Sequence, residues 1–177
     1  MCFALANYLR SKRMASVCCI EVNASGAFSH LSKNTFSNKF NYMHIVMYPS
    51  VTLSLLPNIL RQPYQFQIID FGVLHPNIYQ AFLRCDSKIL IGNISLWKWE
   101  QYFETIQKLS TNQWDFYHDI KLLGTPGLKE NLHFAQKNVS KAIMPVPYIE
   151  NPFQITSTKF GFFEKLLETI DIPHSTV

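Results

Sequence analysis

The chain has 177 residues, of which 47% are hydrophobic and 16% charged, so it is not a disordered or low-complexity protein. The formal net charge of +4 is small, and the dispersed basic residues do not indicate a nucleic-acid-binding protein. No segment reaches the roughly 18 apolar residues of a membrane span, and the four cysteines form no C-x-x-C pair. We therefore expect one domain over residues 1–177, a cytoplasmic location and reduced cysteines.

The chain begins inside a helical pattern. Residues 3–9 are apolar on nearly every side, and the polar run Arg10–Arg13 ends the helix. A buried strand, Val17–Val22, is predicted next. A helix that leads into a buried strand usually follows an earlier strand and loop, so we expect such a strand and loop upstream of Met1.

The next part of the chain changes between polar and apolar segments. Residues 28–41 are polar and predict a loop, and Tyr42–Tyr48 predicts a strand. A short helix is expected over Thr52–Leu60, where a proline makes the helix boundaries hard to place. The clearest strand is residues 64–71, which alternate apolar and polar side chains and then become apolar around Asp70.

Helix and strand patterns alternate through the remaining residues. Apolar positions spaced i, i+3, i+4, i+7 predict helices over 77–85, from Ser95 to 109, over 128–135 and over 162–170. Short apolar runs predict strands at 87–91, 120–123 and 141–144. The alternation predicts an α/β fold, a mostly parallel sheet flanked by helices. The strands expected to be buried and mutually parallel are Val17–Val22, Phe66–Phe71, Ser87–Ile91 and Lys141–Met144.

The order of these motifs resembles the ParA/MinD-like P-loop ATPases. Ala4–Leu9 resembles the small-residue helix that follows the phosphate loop in that family. Glu21-Val-Asn23 resembles the polar motif at the end of the next strand, and Asp70 stands at the Walker B position. Residues 85–91 resemble the strand after Walker B, and Ile143–Pro147 resembles the segment near the adenine site. The resemblance covers nearly the whole chain and implies a P-loop NTPase-like fold.

The resemblance also implies roles for individual residues. Asp70 would hold a magnesium-bound water, Asn23 and Glu21 would stand in the motif that orients the attacking water, and Pro145 would lie beside the nucleotide. Asp70 has a second interpretation, a strand-end residue that forms a turn with Phe71 and Gly72. Intact family members bind Mg-ATP and couple ATP-bound homodimerisation to a protein partner, a membrane or the nucleoid.

One required motif is missing from this sequence. The family needs a G-x-x-x-x-G-K-[ST]-type loop, whose amides and lysine bind phosphate, and none of the six glycines stands in that arrangement. We therefore expect a fold without the first strand and Walker A loop, which neither binds Mg-ATP well nor hydrolyses it. Either the chain is a truncated copy or it is a degenerate paralogue. The alternative function is a non-enzymatic interaction module on the same scaffold.

Overall fold

The computed structural model describes residues 1–32, 37–111 and 115–168. Helices and strands alternate along them, as the α/β prediction required. The helices are α1 (Cys2–Arg13), α2 (Leu56–Leu60), α3 (Tyr79–Leu83), α4 (Glu100–Thr111), α5 (Lys129–Asn138) and α6 (Phe160–Leu167). The strands are β1 (Val17–Glu21), β2 (Phe40–Tyr42), β3 (Ile45–Tyr48), β4 (Phe66–Asp70), β5 (Lys88–Asn93), β6 (Ile120–Thr125) and β7 (Ile143–Pro145).

The chain divides into two compact units. Unit 1 comprises Met1–Phe82 and Ile149–Phe160, and unit 2 comprises Leu83–Tyr148 and the chain from Gly161 onward. Each unit has its own hydrogen-bonded sheet, with strand order β2-β3-β1-β4 in unit 1 and β5-β6-β7 in unit 2. Parallel pairing dominates both sheets, so the predicted fold class is confirmed.

Unit 1 is built around β1, which is parallel to β3 on one side and to β4 on the other. All five residues of β1 are buried. The helix α1 buries Ala4, Leu5, Ala6, Tyr8 and Leu9, so the apolar run around the whole helix is confirmed as core.

The prediction of one continuous strand over Tyr42–Tyr48 is wrong. Met43 and His44 have φ angles of 49° and 63°, so the chain reverses there. The residues before the reversal form β2, which is antiparallel to β3. A positive φ is uncommon for any residue other than glycine, and Met-His is not one of the dipeptides that mark a turn, so the sequence carries no clear turn signal at this point. β2 also begins at Phe40, inside the segment predicted to be a loop.

The strand β4 was predicted to be buried, and that prediction is wrong. Each of its five residues is only half-buried. Among the described residues β4 pairs with β1 alone, so it is an edge strand of the unit 1 sheet. The short helices of this unit also begin later than predicted: α2 starts at Leu56, one residue before a proline, and α3 starts at Tyr79 after a 3₁₀ turn.

Unit 2 has three parallel strands with β6 at the centre. The edge strand β5 is mostly half-buried, which again differs from the prediction. The helix α4 begins at Glu100 and not directly after Ser95, whose hydroxyl donates to Asn93 Oδ1 at 2.5 Å instead of capping the helix. The predicted apolar stripe of α4 is confirmed by the burial of Tyr102, Ile106 and Leu109.

The last two elements shift slightly from their predicted positions. β7 starts two residues after Lys141 and extends to Pro145. The final helix α6 buries Phe163, Leu166 and Leu167, as expected, while the predicted end at Ile170 lies outside the described residues. No helix in the described part of the chain combines the length and apolar character needed to cross a membrane.

Candidate functional site at the carboxyl ends of β1 and β4

Two strands of unit 1 end at the same edge of their sheet. β1 and β4 are parallel and in register, with Glu21 opposite Asp70. The ladder continues one residue further, because Val22 N–H donates to the Asp70 carbonyl at 2.8 Å. In open α/β sheets ligands bind outside the carboxyl ends of the strands, so a ligand-binding site is expected at this edge.

Asn23 lies directly against the end of β4. Its Nδ2 donates to the Asp70 carbonyl oxygen at 3.1 Å, and its Oδ1 accepts from Ser25 N–H at 2.9 Å. Gly72 has a φ of 64°, and a Cβ there would lie 2.9 Å from the Cβ of Asn23. The structure therefore brings together Asn23 and Asp70, and only glycine fits between them at position 72.

The side chain of Asp70 is partly committed to the protein itself. Its Oδ1 accepts from Gly72 N–H at 2.9 Å, which is the strand-end turn considered as the second interpretation of this residue. The thiol of Cys2, the first residue of α1, also donates to the Asp70 carboxylate. Burial, together with the nearby negative charge of Asp70, raises the pKa of Cys2 to about 12, so the thiol stays protonated at neutral pH.

Glu21 is fully buried and serves as an anchor for two loops. Its Oε1 accepts from Ser25 Oγ at 2.9 Å and from Phe28 N–H at 3.3 Å, and its Oε2 accepts from Ser50 N–H at 3.1 Å. All three donors are neutral groups. The carboxylate holds the loops that follow β1 and β3 at this edge. Sequence reasoning linked Glu21 only to water orientation, because nothing in the spacing predicts that Ser50 returns to it.

Pro145 belongs to unit 2 and is described there. It is exposed, ends β7 and pairs in register with Gly124 of β6. A Cβ on Gly127 would lie 2.6 Å from the Val146 carbonyl oxygen and 3.2 Å from the Cβ of Pro145. The loops after β6 and β7 therefore pack closely at the carboxyl edge of the unit 2 sheet.

The residues at the unit 1 edge do not fit Mg-ATP. Magnesium prefers near-octahedral oxygen ligands from one or two carboxylates together with phosphate oxygens. Both Glu21 oxygens already accept hydrogen bonds, and one Asp70 oxygen accepts from Gly72. No group of three metal-ligating side chains is found in the described ranges. The sequence also has no loop that could cradle the phosphates.

Unit 2 contains a separate cavity of about 340 Å³ at the amino ends of its strands. Two lysines line it, Lys121 and Lys141, and burial lowers the pKa of both. Their ammonium groups donate to main-chain carbonyls, Lys141 to Tyr117 and His118 and Lys121 to Leu166. No sequence motif indicated this cavity, because strands distant along the chain bring its residues together.

No family model and no curated protein sequence matches this chain. Solved structures do. A ParA family ATPase from Chlorobium tepidum TLS aligns with a TM-score of 0.63 and 15% sequence identity, over 96% of this chain and 85% of that chain. The MinD cell division protein of Aquifex aeolicus aligns with a TM-score of 0.51 and 10% identity, over 92% of this chain and 78% of its own.

A third structure is the MinC:MinD cell division protein complex of Aquifex aeolicus. It aligns with a TM-score of 0.52 and 10% identity, over 80% of this chain and 73% of the matched chain. At such identities the likeness concerns the fold alone. The fold of this chain is similar to that of ParA and MinD ATPases.

Proposed function

We propose that this chain is a ParA/MinD-like nucleotide-switch domain that does not hydrolyse ATP in this form. One observation carries the proposal. At the edge where a ligand would bind, Glu21 and the turn oxygen of Asp70 accept hydrogen bonds from the protein's own loops. This edge is organised by internal contacts, and the 177 residues contain no phosphate-binding loop.

The physical chemistry of phosphoryl transfer supports the proposal. Catalysis by P-loop enzymes depends on positioning and on electrostatic stabilisation from backbone amides, a lysine and magnesium. In a protease oxyanion hole, the loss of a single stabilising donor already costs about 10² to 10³ in turnover rate. A chain that lacks the whole loop is expected to have no measurable activity, although the fold is retained.

The expected ligands and partners follow from the same relationship. Mg-ATP is the cofactor of the intact family, and we propose that this chain binds it weakly at best. One similar structure is a complex of MinD with MinC, so we propose that this chain acts through a protein partner, with homodimerisation reserved for the intact form. We also propose a cytoplasmic location, since its cysteines are free.

A second candidate function is a protein-interaction module that never responds to nucleotide. The buried Glu21 favours it, because the hydrogen bonds that hold the loops at this edge come from the protein's own Ser25, Phe28 and Ser50. The two candidates differ in one measurable property. A nucleotide switch retains weak nucleotide binding at this edge, whereas a pure interaction module has none.

The test compares the native chain with Asp70→Asn, which retains an oxygen that can accept from Gly72 N–H. We expect neither protein to release phosphate from Mg-ATP above the buffer rate, and calorimetry to give no sub-micromolar affinity. Equal thermal melts would show that the variant keeps the fold. Magnesium-dependent phosphate release that disappears in Asp70→Asn would show that the chain is an active ATPase.

A further inference from the structure

Among the described residues, β4 forms strand hydrogen bonds through the backbone groups of one of its two edges. Phe66 N–H donates to the Ser16 carbonyl and the Asp70 carbonyl accepts from Val22 N–H, which fixes the direction of the ladder. In a parallel strand the N–H and C=O of one residue point to the same side, and successive residues alternate. Phe66, Ile68 and Asp70 therefore face β1, so the N–H and C=O groups of Gln67 and Ile69 face outward.

The outward groups have no strand partner in the part of the chain that the structure describes. The unit 1 sheet ends at β4, and no backbone hydrogen bond joins Gln67 or Ile69 to another segment. The side chains next to them are apolar but only half-buried, as Ile68 and Ile69 show. Strands of parallel sheets with near-continuous apolar runs are normally covered on both sides.

We propose that the outer edge of β4 is a strand-addition site that binds an extended apolar segment of a partner protein. This inference is independent of the proposed loss of ATPase activity. Gln67 and Ile69 are two residues apart, so their groups repeat at about 6.6 Å, the repeat of an extended backbone. Ile68 and Ile69 are successive residues of β4, so their apolar side chains point to opposite faces of the sheet. We therefore expect the partner segment to have apolar residues at successive positions, as β1 does.

The size of the edge favours a peptide segment over a second copy of this chain. The strand has five residues and presents two outward-facing residues, whereas stable protein–protein interfaces bury about 800 Å² on each partner. A peptide strand needs only the main-chain groups and the neighbouring apolar side chains. Edge-to-edge pairing of two copies is retained as an outcome of the test.

The test uses amide hydrogen exchange, measured by NMR on the full chain. The probe is an acetylated peptide with the sequence Val17–Val22, valine in place of both cysteines and two lysines at each end. Without peptide, we expect the Gln67 and Ile69 amides to exchange at least about tenfold faster than that of Ile68, which is bonded to β1. Saturating peptide should slow both outward amides about tenfold and leave Ile68 unchanged.

Two matched controls make the result specific. The same peptide N-methylated at every residue has no N–H to donate from either edge and should give no protection. Ile69→Pro removes the outward N–H but no bond to β1, so it should abolish binding, while Ile69→Val should preserve it. If Ile69→Pro fails to fold, the N-methylated peptide alone decides.

Several results would overturn the proposal. One is strong protection of Gln67 and Ile69 in the protein alone at every concentration, which would show that the edge is already covered. Another is protection that rises with protein concentration, which would assign the edge to a second copy. A third is peptide binding that slows only the amides of β5, an edge strand of the unit 2 sheet, where Ile91 is 40% exposed.

Discussion

Two neighbouring strands of unit 1, β1 and β4, have the same length and a similar apolar character but very different environments. In β1 the exposed fraction is 2% for Val17 and 0% for the other four residues. In β4, which is paired with β1 along its whole length, every residue is half-buried. Among the residues that the structure describes, β1 has a strand on each side and β4 has a strand on one side. In this pair the strand with a neighbour on each side is the buried one.

The same contrast appears where the two strands end. Glu21 and Asp70 face each other in register, yet Glu21 is fully buried and bonded to two loops, whereas Asp70 is half-buried and bonded to its own turn. Glu21, at the end of the interior strand β1, holds the neighbouring loops in place. Asp70, at the end of the edge strand β4, remains partly exposed to solvent.

The largest expected effect on stability comes from truncating one isoleucine of each strand to alanine, Ile20 in β1 and Ile69 in β4. We expect Ile20→Ala to lower the free energy of unfolding by about 4 kcal/mol, because the side chain is fully buried and leaves a cavity. Ile69→Ala in β4 should cost about 2 kcal/mol, because part of the side chain is already in contact with water. Urea denaturation measures both. Equal losses would show that β4 is as buried as β1 in solution.

The strand-end carboxylates should differ in the same direction. Glu21→Ala leaves two backbone N–H groups and a serine hydroxyl without their acceptor, so we expect a loss of about 3 kcal/mol. Asp70→Ala removes the turn hydrogen bond from Gly72 N–H and the weak one from the Cys2 thiol, and should cost about 1 kcal/mol. Glu21→Gln, which retains one acceptor oxygen, should lie between them. A larger loss for Asp70→Ala would reverse the comparison.

The smallest effect at neutral pH concerns the ionisation of Cys18, a buried thiol of β1 that has no counterpart in β4. Burial raises the pKa of Cys18 to about 12, against an ordinary value near 9 in the unfolded chain. The unfolded thiol therefore loses its proton first, so this contribution to stability is complete below about pH 9 and is lost as the pH rises toward 12. Urea melts between pH 8 and 11 should show a shallower decline for Cys18→Ala than for the native chain. Parallel declines would mean that the Cys18 thiol does not contribute.

Several features could be predicted from residues alone. The apolar surface all around residues 3–9 identified a buried helix, and the run Val17–Val22 identified a buried strand. The position of Asp70 at the end of an apolar strand, two residues before Gly72, allowed for the turn that the structure shows. These features depend on the spacing of apolar residues and on residues that favour turns, and both can be read from neighbouring positions in the sequence.

Other features gave no clear signal in the local sequence. The reversal at Met43 and His44 has positive φ angles at a dipeptide that is not a recognised turn signal. Ser50 reaches Glu21 across 29 positions of sequence. The departure of α4 from its expected start follows from the hydrogen bond between Ser95 and Asn93, which competes with a helix cap.

By itself the sequence determined that the chain forms alternating helices and parallel strands, and which side chains are apolar enough to make a core. Only the tertiary structure decided which strands have two neighbours and which have one, and so that β1 is buried while β4 and β5 are sheet edges. The physical reason is that apolar character is a property of each residue, whereas burial and backbone hydrogen bonding belong to pairs of strands brought together by the fold.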